Sequence, residues 1–238
     1  MSSTLARHWA NRRAAGVDLG NAVLNRLQST GAADPGTTVS VWALPAGGVV
    51  VAVEVVRVLR AAGIPAALGV LPVARIRLPQ QPEVAVGAVA GLRGEAVAQV
   101  VAQPSGPAGL LADMSVLQAA VAQALERLRH LQELLGELPA PSGPVAVTQG
   151  TVVVVDDGVA TGWSALAGLD ALHAAATRPD RRMLAVPVAP RQAALLMRGA
   201  VDDYLVLTEP LAFRAVSSVY DEFEPVDADA LRAALAQP

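Results

Sequence analysis

The sequence contains neither cysteine nor lysine. Without cysteine there is no disulfide, no thiolate nucleophile and no cysteine-ligated zinc or iron–sulfur centre. Because all 18 basic residues are arginine, the lysine of a Walker-type phosphate loop and Schiff-base chemistry are excluded. Aromatic residues make up only 3% and the formal net charge is −3. Neither the stacking platform nor the basic footprint of a nucleic-acid binder is present, so no nucleic-acid partner is expected. Apolar runs are interrupted by Gly, Pro, Arg or Asp before reaching the roughly 20 residues of a membrane span, and no membrane partner is expected. The opening MSSTLARHWANRRAAG lacks the continuous apolar block of a signal peptide, so a cytoplasmic location is expected. His8, His130 and His173 have no paired spacing for a metal and read as surface or packing residues.

What is present is a chain of 238 residues, 53% hydrophobic, long enough for a large buried core. Short β-rich runs alternate with Ala/Leu-rich stretches, which predicts an α/β domain with a mainly parallel sheet. The predicted strands are 38–44, 66–73, 84–90, 151–156, 182–188 and 202–207. A helix over 48–63 stops at Gly63 with Pro65 beyond it. The apolar residues at 114, 117, 121, 125, 128, 131, 135 and 138 have the spacing of one buried face of a long helix over 113–138. Pro/Gly-rich segments bracket that helix, so 74–144 reads as an insertion over the main sheet within a single domain of residues 1–238. An N-terminal helix, roughly 3–29, is expected to pack against the sheet's edge or to start this cap.

The stretch VVVVDDGVATGWS, residues 152–164, carries the most chemistry. Four valines suit a strand covered on both faces, whose C-terminal end opens on the crevice where ligands bind. Asp156 and Asp157 sit at that end. Residues 158–164 then lead into a helix, so backbone N–H groups and the positive helix end converge on one point, a site for phosphate. Thr161 and Ser164 add hydroxyl donors, and Gly158 and Gly162 let the backbone approach closely. Two carboxylates beside an anion cradle repel phosphate alone, but they suit a ligand that also carries a diol. A sugar phosphate satisfies both halves. GWSAL lacks the closing glycine of a nucleophile elbow, so acyl chemistry fits poorly.

This stretch resembles the phosphoribosyl-pyrophosphate (PRPP) motif of type I phosphoribosyltransferases. LPAGGVVVAVEV (44–55), QPEVAVGAVA (81–90), LAVPVAP (184–190) and EPLAFRAVSSVYDEF (209–223) extend the likeness to the bacterial family of predicted phosphoribosyltransferases with undefined acceptor. The resemblance implies a core of about five parallel strands flanked by helices, with a hood over the C-terminal strand edge at about 74–144. It implies that Asp156 and Asp157 hold the ribose hydroxyls, directly or through Mg²⁺ and water. Gly158, Val159, Ala160, Thr161, Gly162, Trp163 and Ser164 would wrap the 5-phosphate. Ala46, Gly47 and Gly48 would form the pyrophosphate loop, where relatives often carry a non-proline cis peptide. Arg75 would face the leaving pyrophosphate, with Mg²⁺ arriving largely with PRPP. The implied activity is displacement of pyrophosphate from C1 by an unidentified acceptor, usually a base nitrogen. The alternative is a PRPP- or nucleotide-binding regulatory protein on the same fold. Many relatives pair as dimers, and the long helix offers an interface.

The pattern breaks at Ala46 and Ala74, where relatives often carry arginine, leaving Arg77 or a hood residue to substitute. Trp163 is an unusual loop residue that either packs beneath the loop or covers the site. Asp202 and Asp203 read as solvated turn residues, and Arg214 as an anchor of the C-terminal segment. The 74–144 stretch has no Phe, Trp or Tyr, so a stacked base would need Trp42, Trp163 or Phe213.

Overall fold

The computed structural model describes residues 7–32, 38–79, 81–92, 114–137, 150–174 and 179–236. In chain order its elements are α1 (Arg12–Ser29), β1 (Val39–Ala43), α2 (Gly47–Ala61), β2 (Ala66–Val70), β3 (Val73–Leu78), β4 (Gln81–Ala90), α3 (Met114–Gly136), β5 (Thr151–Val155), α4 (Trp163–Ala174), β6 (Arg181–Val188), α5 (Arg191–Arg198), β7 (Asp203–Thr208), a 3₁₀ turn (Val216–Val219) and α6 (Ala228–Leu235). Residues 3–6 of the expected first helix, and 93–113 and 138–144 of the expected insertion, lie outside the described residues.

Five strands form one parallel sheet in the order β2–β1–β5–β6–β7. Its centre is buried on both sides, which is why β5 reads as an unbroken valine run. Val153 and Val155 point to a core shared with α1, α2 and α6. Val152 and Val154 point to the opposite core, against α4. The alternation of a pleated strand thus supplies both layers at once. α2 forms despite its β-branched content because it is sandwiched between sheet and α1 and buries residues around much of its circumference. Gly63, at φ 79°, ends it.

The first helix differs from expectation. α1 starts at Arg12, where the Asn11 side chain accepts from the Ala14 N–H at 3.1 Å. It lies on α2 over one sheet face, not at the sheet's edge, because Gly16 and Gly20 let the two helices nearly touch. A Cβ at Gly16 would stand 2.8 Å from the Val51 carbonyl oxygen, and one at Gly20 2.9 Å from Val58 Cβ.

Two further corrections concern strands. The run expected as one strand at 66–73 breaks after Val70, and residues 73–78 form a separate strand that the sequence reading missed. The expected 84–90 strand is the end of β4, which pairs antiparallel with β3 outside the main sheet. Ala74, Ile76 and Leu78 of this hairpin pack beneath α3 on Ala120, Ala124 and Leu128. The buried line of α3 therefore runs through alanines beside the predicted leucines, since small side chains allow close approach to the hairpin. The acidic pair at 202–203 is also not simply solvated. Asp203 is buried and accepts from Arg26 Nη1 at 2.8 Å and Arg181 Nε at 2.9 Å, while Asp202 accepts from the Arg182 N–H at 2.8 Å.

Candidate active site

β5 carries Asp156 and Asp157 to the C-terminal edge of the sheet, and the end of β1 lies alongside, its Leu44 N–H donating to the Val155 carbonyl at 2.9 Å. The next peptide, Pro45–Ala46, is cis. This turn brings Gly47 against Asp157: a Cβ there would lie 1.9 Å from Asp157 Oδ2, so only glycine fits. Loop 45–48 and the acidic pair, far apart in sequence, thus share one site.

The two carboxylates have different surroundings. Asp156 is buried, and its Oδ1 accepts from the Asp157 N–H at 2.8 Å. Burial, reinforced by the Asp157 charge, pushes its carboxyl well above the ordinary value, and nearby Arg75 partly counters that rise. Asp157 is half-buried and paired: Arg12 Nε donates to its Oδ2 at 2.7 Å. Arg12 also donates through Nη1 to the Glu224 carbonyl at 2.8 Å and lies over the Phe223 ring, 3.7 Å from its centroid. Tyr220 Oη donates to the Asp157 carbonyl at 2.6 Å. Trp9 and Phe223 flank the Tyr220 ring. Burial pushes the Tyr220 hydroxyl up, and the Asp157 charge adds to this, so Tyr220 stays a donor.

Sequence reasoning missed Arg12 and Tyr220 as partners of Asp157, and Phe223 and Glu224 as partners of Arg12. No local pattern marks a side chain that acts across 145 residues of separation. Arg214 is exposed, and the anchoring expected of it falls to Val219 and Tyr220, which meet Trp9.

The loop after the carboxylates divides its labour. Val159 is buried, and its N–H donates to the Val188 carbonyl at 2.9 Å, so it ties the loop down. Gly158 is buried against Val188 and Val216, and Ala160 and Thr161 form the exposed tip. Gly162 has φ 89° and turns the chain into α4. Trp163, the first residue of α4, is buried in the core cluster on that side of the sheet, the packing arrangement of the two expected for it. A crevice of about 70 Å³ is lined by residues 158–162 of this loop together with Ser164, Asp156 and Arg75. Arg75 reaches it from β3, its Nε donating to Ser164 Oγ at 3.3 Å.

This crevice continues into a cleft of about 290 Å³ that shares Arg75, Asp156 and Ser164 and adds Leu44, Pro45, Arg77, Arg127 and Leu131. Of the sequence-predicted groups, Asp156, Arg75, residues 158–162 and Ser164 therefore share this lining, Gly47 and Gly48 lie against Asp157 and Asp156, and Trp163 does not line it. Ala74 is buried beneath α3, so the cationic faces of β3 are those of Arg75 and Arg77. Arg127, also missed, arrives from α3. His8 and His130 lie beside Asp221 and Glu133, and among the described residues no group of three potential ligands could hold a metal ion.

Two curated proteins of Mycobacterium tuberculosis, from strains H37Rv and CDC 1551, are 33% identical to this chain over 196 residues, 82% of its length; they are named "Putative phosphoribosyl transferase" Rv0571c and MT0597. The chain belongs to the type I phosphoribosyltransferase-like family. It spans about 40% of the length of those two relatives. The crystal structure of TT1426 from Thermus thermophilus superposes with a TM-score of 0.67 at 33% identity, covering 96% of this chain and 98% of that one. No family model matches the chain. Membership accounts for the five-stranded parallel sheet and for the acidic pair ahead of the glycine loop. Among the described residues no helix is long and apolar enough to cross a membrane.

Proposed function

We propose that this phosphoribosyltransferase-like chain transfers a 5-phosphoribosyl group from PRPP to an acceptor. The observation that carries this reading is the convergence of the buried Asp156 carboxylate, a glycine loop at a helix start and Arg75 on one crevice. The loop at 158–164 takes the 5-phosphate on its backbone and the hydroxyls of Thr161 and Ser164. Asp156 and Asp157 accept from the ribose hydroxyls. Arg75 and loop 45–48 border the diphosphate. The C1–O bond to pyrophosphate breaks, the acceptor's lone pair forms the new bond to C1, and the departing diphosphate carries off the electron pair. Fixed charges and water exclusion supply most of the rate enhancement.

Magnesium fits these residues. A desolvated carboxylate such as Asp156, whose charged form is disfavoured by burial, gains from a hard cation with oxygen ligands. Mg²⁺ bound with the diphosphate would neutralise its charge, and Asp156 and Asp157 are the residues to hold it, directly or through water. Asp157 remains oriented by Arg12 throughout.

A second reading, a protein that binds PRPP without transferring it, is favoured by Ala46, which brings no cation to the pyrophosphate loop. Calorimetric titration of PRPP with Mg²⁺ into wild type and Asp157→Ala, followed by a pyrophosphate-release assay over a panel of bases, separates the readings. Binding lost in Asp157→Ala with pyrophosphate release by wild type supports transfer. Binding without release under any acceptor supports the sensor, and no binding to a folded wild type sinks both.

A further inference from the structure

A strap ahead of α1 reaches the acidic pair from far away in the chain. Residues 9 and 10 run parallel to 219–222: the Trp9 N–H donates to the Val219 carbonyl, and the Asp221 and Glu222 N–H groups donate to the carbonyls of Trp9 and Ala10, each at 2.9 Å. Trp9 Nε1 also donates to Asp18 Oδ2 at 2.9 Å, which fixes the strap to α1. Together these bonds set Arg12, the first residue of α1, against Asp157.

The Arg12–Asp157 pair contributes orientation more than stability. Both side chains are largely shielded, 11% and 15% exposed, and the desolvation of two such charges offsets most of their attraction. What the pair gains is a fixed geometry. Arg12 Nε takes Asp157 Oδ2 while Nη1 donates to the Glu224 carbonyl and the guanidinium lies over the Phe223 ring. Loop 45–48 closes on the same oxygen, since a Cβ at Gly47 would meet Oδ2 and stand 2.8 Å from Arg12 Nε. The Asp157 carbonyl is held by Tyr220, whose ring packs between Trp9 of the strap and Phe223. Among the described residues no N–H group meets the other oxygen, Oδ1. Asp157 therefore has one oxygen committed and one left for a ligand.

We propose that Arg12 is a positioning residue for the sugar: by committing Asp157 Oδ2 it leaves Oδ1 to accept from a single ribose hydroxyl, so the strap of residues 9–12 completes the ribose site and sets its selectivity for the hydroxylated sugar. This role rests on the ribose-phosphate reading of the site. An acceptor fixed before the ligand arrives loses no freedom on binding, and it rejects a sugar that lacks the hydroxyl because the acceptor is then left unpaired. Arg12 reaches Asp157 only when the strap is docked. The sugar thus binds the docked strap better than the undocked one, and by reciprocity it favours docking by the same factor.

The test titrates ribose 5-phosphate and its 2-deoxy and 3-deoxy analogues into wild type, Arg12→Ala, Arg12→Lys and, as a control weakened at the other end of α1, Asp203→Ala, with thermal unfolding to check each fold. Wild type is expected to bind ribose 5-phosphate more tightly than the analogue lacking the hydroxyl that Asp157 reads. In Arg12→Ala the affinity for ribose 5-phosphate should fall about tenfold or more while that analogue binds as it does to wild type, so discrimination against it collapses. Arg12→Lys keeps a charge beside Asp157 but loses the fork that also reaches the Glu224 carbonyl, and should recover part of the discrimination. Asp203→Ala should keep all of it. Hydrogen exchange at the Trp9, Asp221 and Glu222 amides should slow when wild type binds ribose 5-phosphate and respond less in Arg12→Ala. Equal weakening of all three sugars in Arg12→Ala, unchanged discrimination in that variant, or strap amides in wild type that ignore the ligand overturns the positioning role and leaves the ribose-phosphate site standing. No binding of any sugar, or no discrimination among them, by folded wild type removes the ribose reading itself, and the role of Arg12 with it.

Discussion

Asp156 and Asp157 are adjacent and chemically identical, yet their neighbours give them different behaviour. Asp157 is matched by the Arg12 guanidinium, whereas Asp156 is desolvated and faces a second negative charge. The native state therefore holds the Asp156 proton to higher pH than the unfolded chain does, so it binds more protons between the ordinary value, 3.8, and the raised one. Stability should fall as pH rises through that interval. Asp156→Asn removes the effect while keeping an acceptor for the Asp157 N–H. Its melting temperature should exceed that of wild type at pH 8, with the gap closing as pH falls toward 4; a constant gap across that range would contradict the assignment. Gly47 makes the complementary case. Gly47→Ala drives a methyl into the Asp157–Arg12 pair, so unfolding should lose about 1–3 kcal/mol and ribose 5-phosphate affinity should fall with it, read by denaturant titration and calorimetry.

At the scale of elements, the long helices and central strands were legible because their signals are local. β5 is a valine run with a carboxylate-bearing end, and α2 has length and a glycine stop. The β3–β4 hairpin was not, although its alternation of Val73, Arg75 and Arg77 with Ala74, Ile76 and Leu78 was visible in principle. Pro72 and the preceding apolar residues let β2 and β3 merge into one apparent strand. Which strands pair is decided by contacts far apart in the chain, and alternation alone does not choose a partner. Because the hairpin and α3 share an apolar cluster of their own, their stability should be partly separable from that of the main sheet. Leu128→Ala, at a position 1% exposed, should cost about 2–5 kcal/mol in that unit. Hydrogen exchange should rise in β3, β4 and α3 and stay unchanged in β1, β5 and β6. Equal acceleration in all of them would mean a single cooperative core.

At the scale of the whole molecule, residues near the start of the described chain and residues after the last strand meet beside Asp157. Trp9 and Arg12 precede or open α1, while Tyr220, Phe223 and Glu224 follow the last strand, and together they fix the Asp157 side chain and carbonyl. The buried Asp203 holds the other end of α1 to the sheet through Arg26 and Arg181. Asp203→Ala leaves two partly buried cations without their shared partner and should lower stability by about 1.5–3 kcal/mol, a few degrees in the melting temperature for a chain of this size. Ribose 5-phosphate binding at 25 °C should persist, since the carboxylate pair lies at the opposite end of the strands.

The sequence by itself determined the parallel α/β class, the carboxylate pair, the glycine loop and the absence of lysine, cysteine and hood aromatics, because composition and local periodicity carry that information without reference to distant residues. Only the tertiary structure decided that Arg12 and Tyr220 orient Asp157, that Asp203 is a buried clamp, that Trp163 is core, and that Arg77 and Arg127 converge on one cleft. The physical reason is that an ion pair or a cleft depends on which distant segments the packed sheet and helices bring within a few ångströms. That depends on three-dimensional packing that no spacing along the chain records.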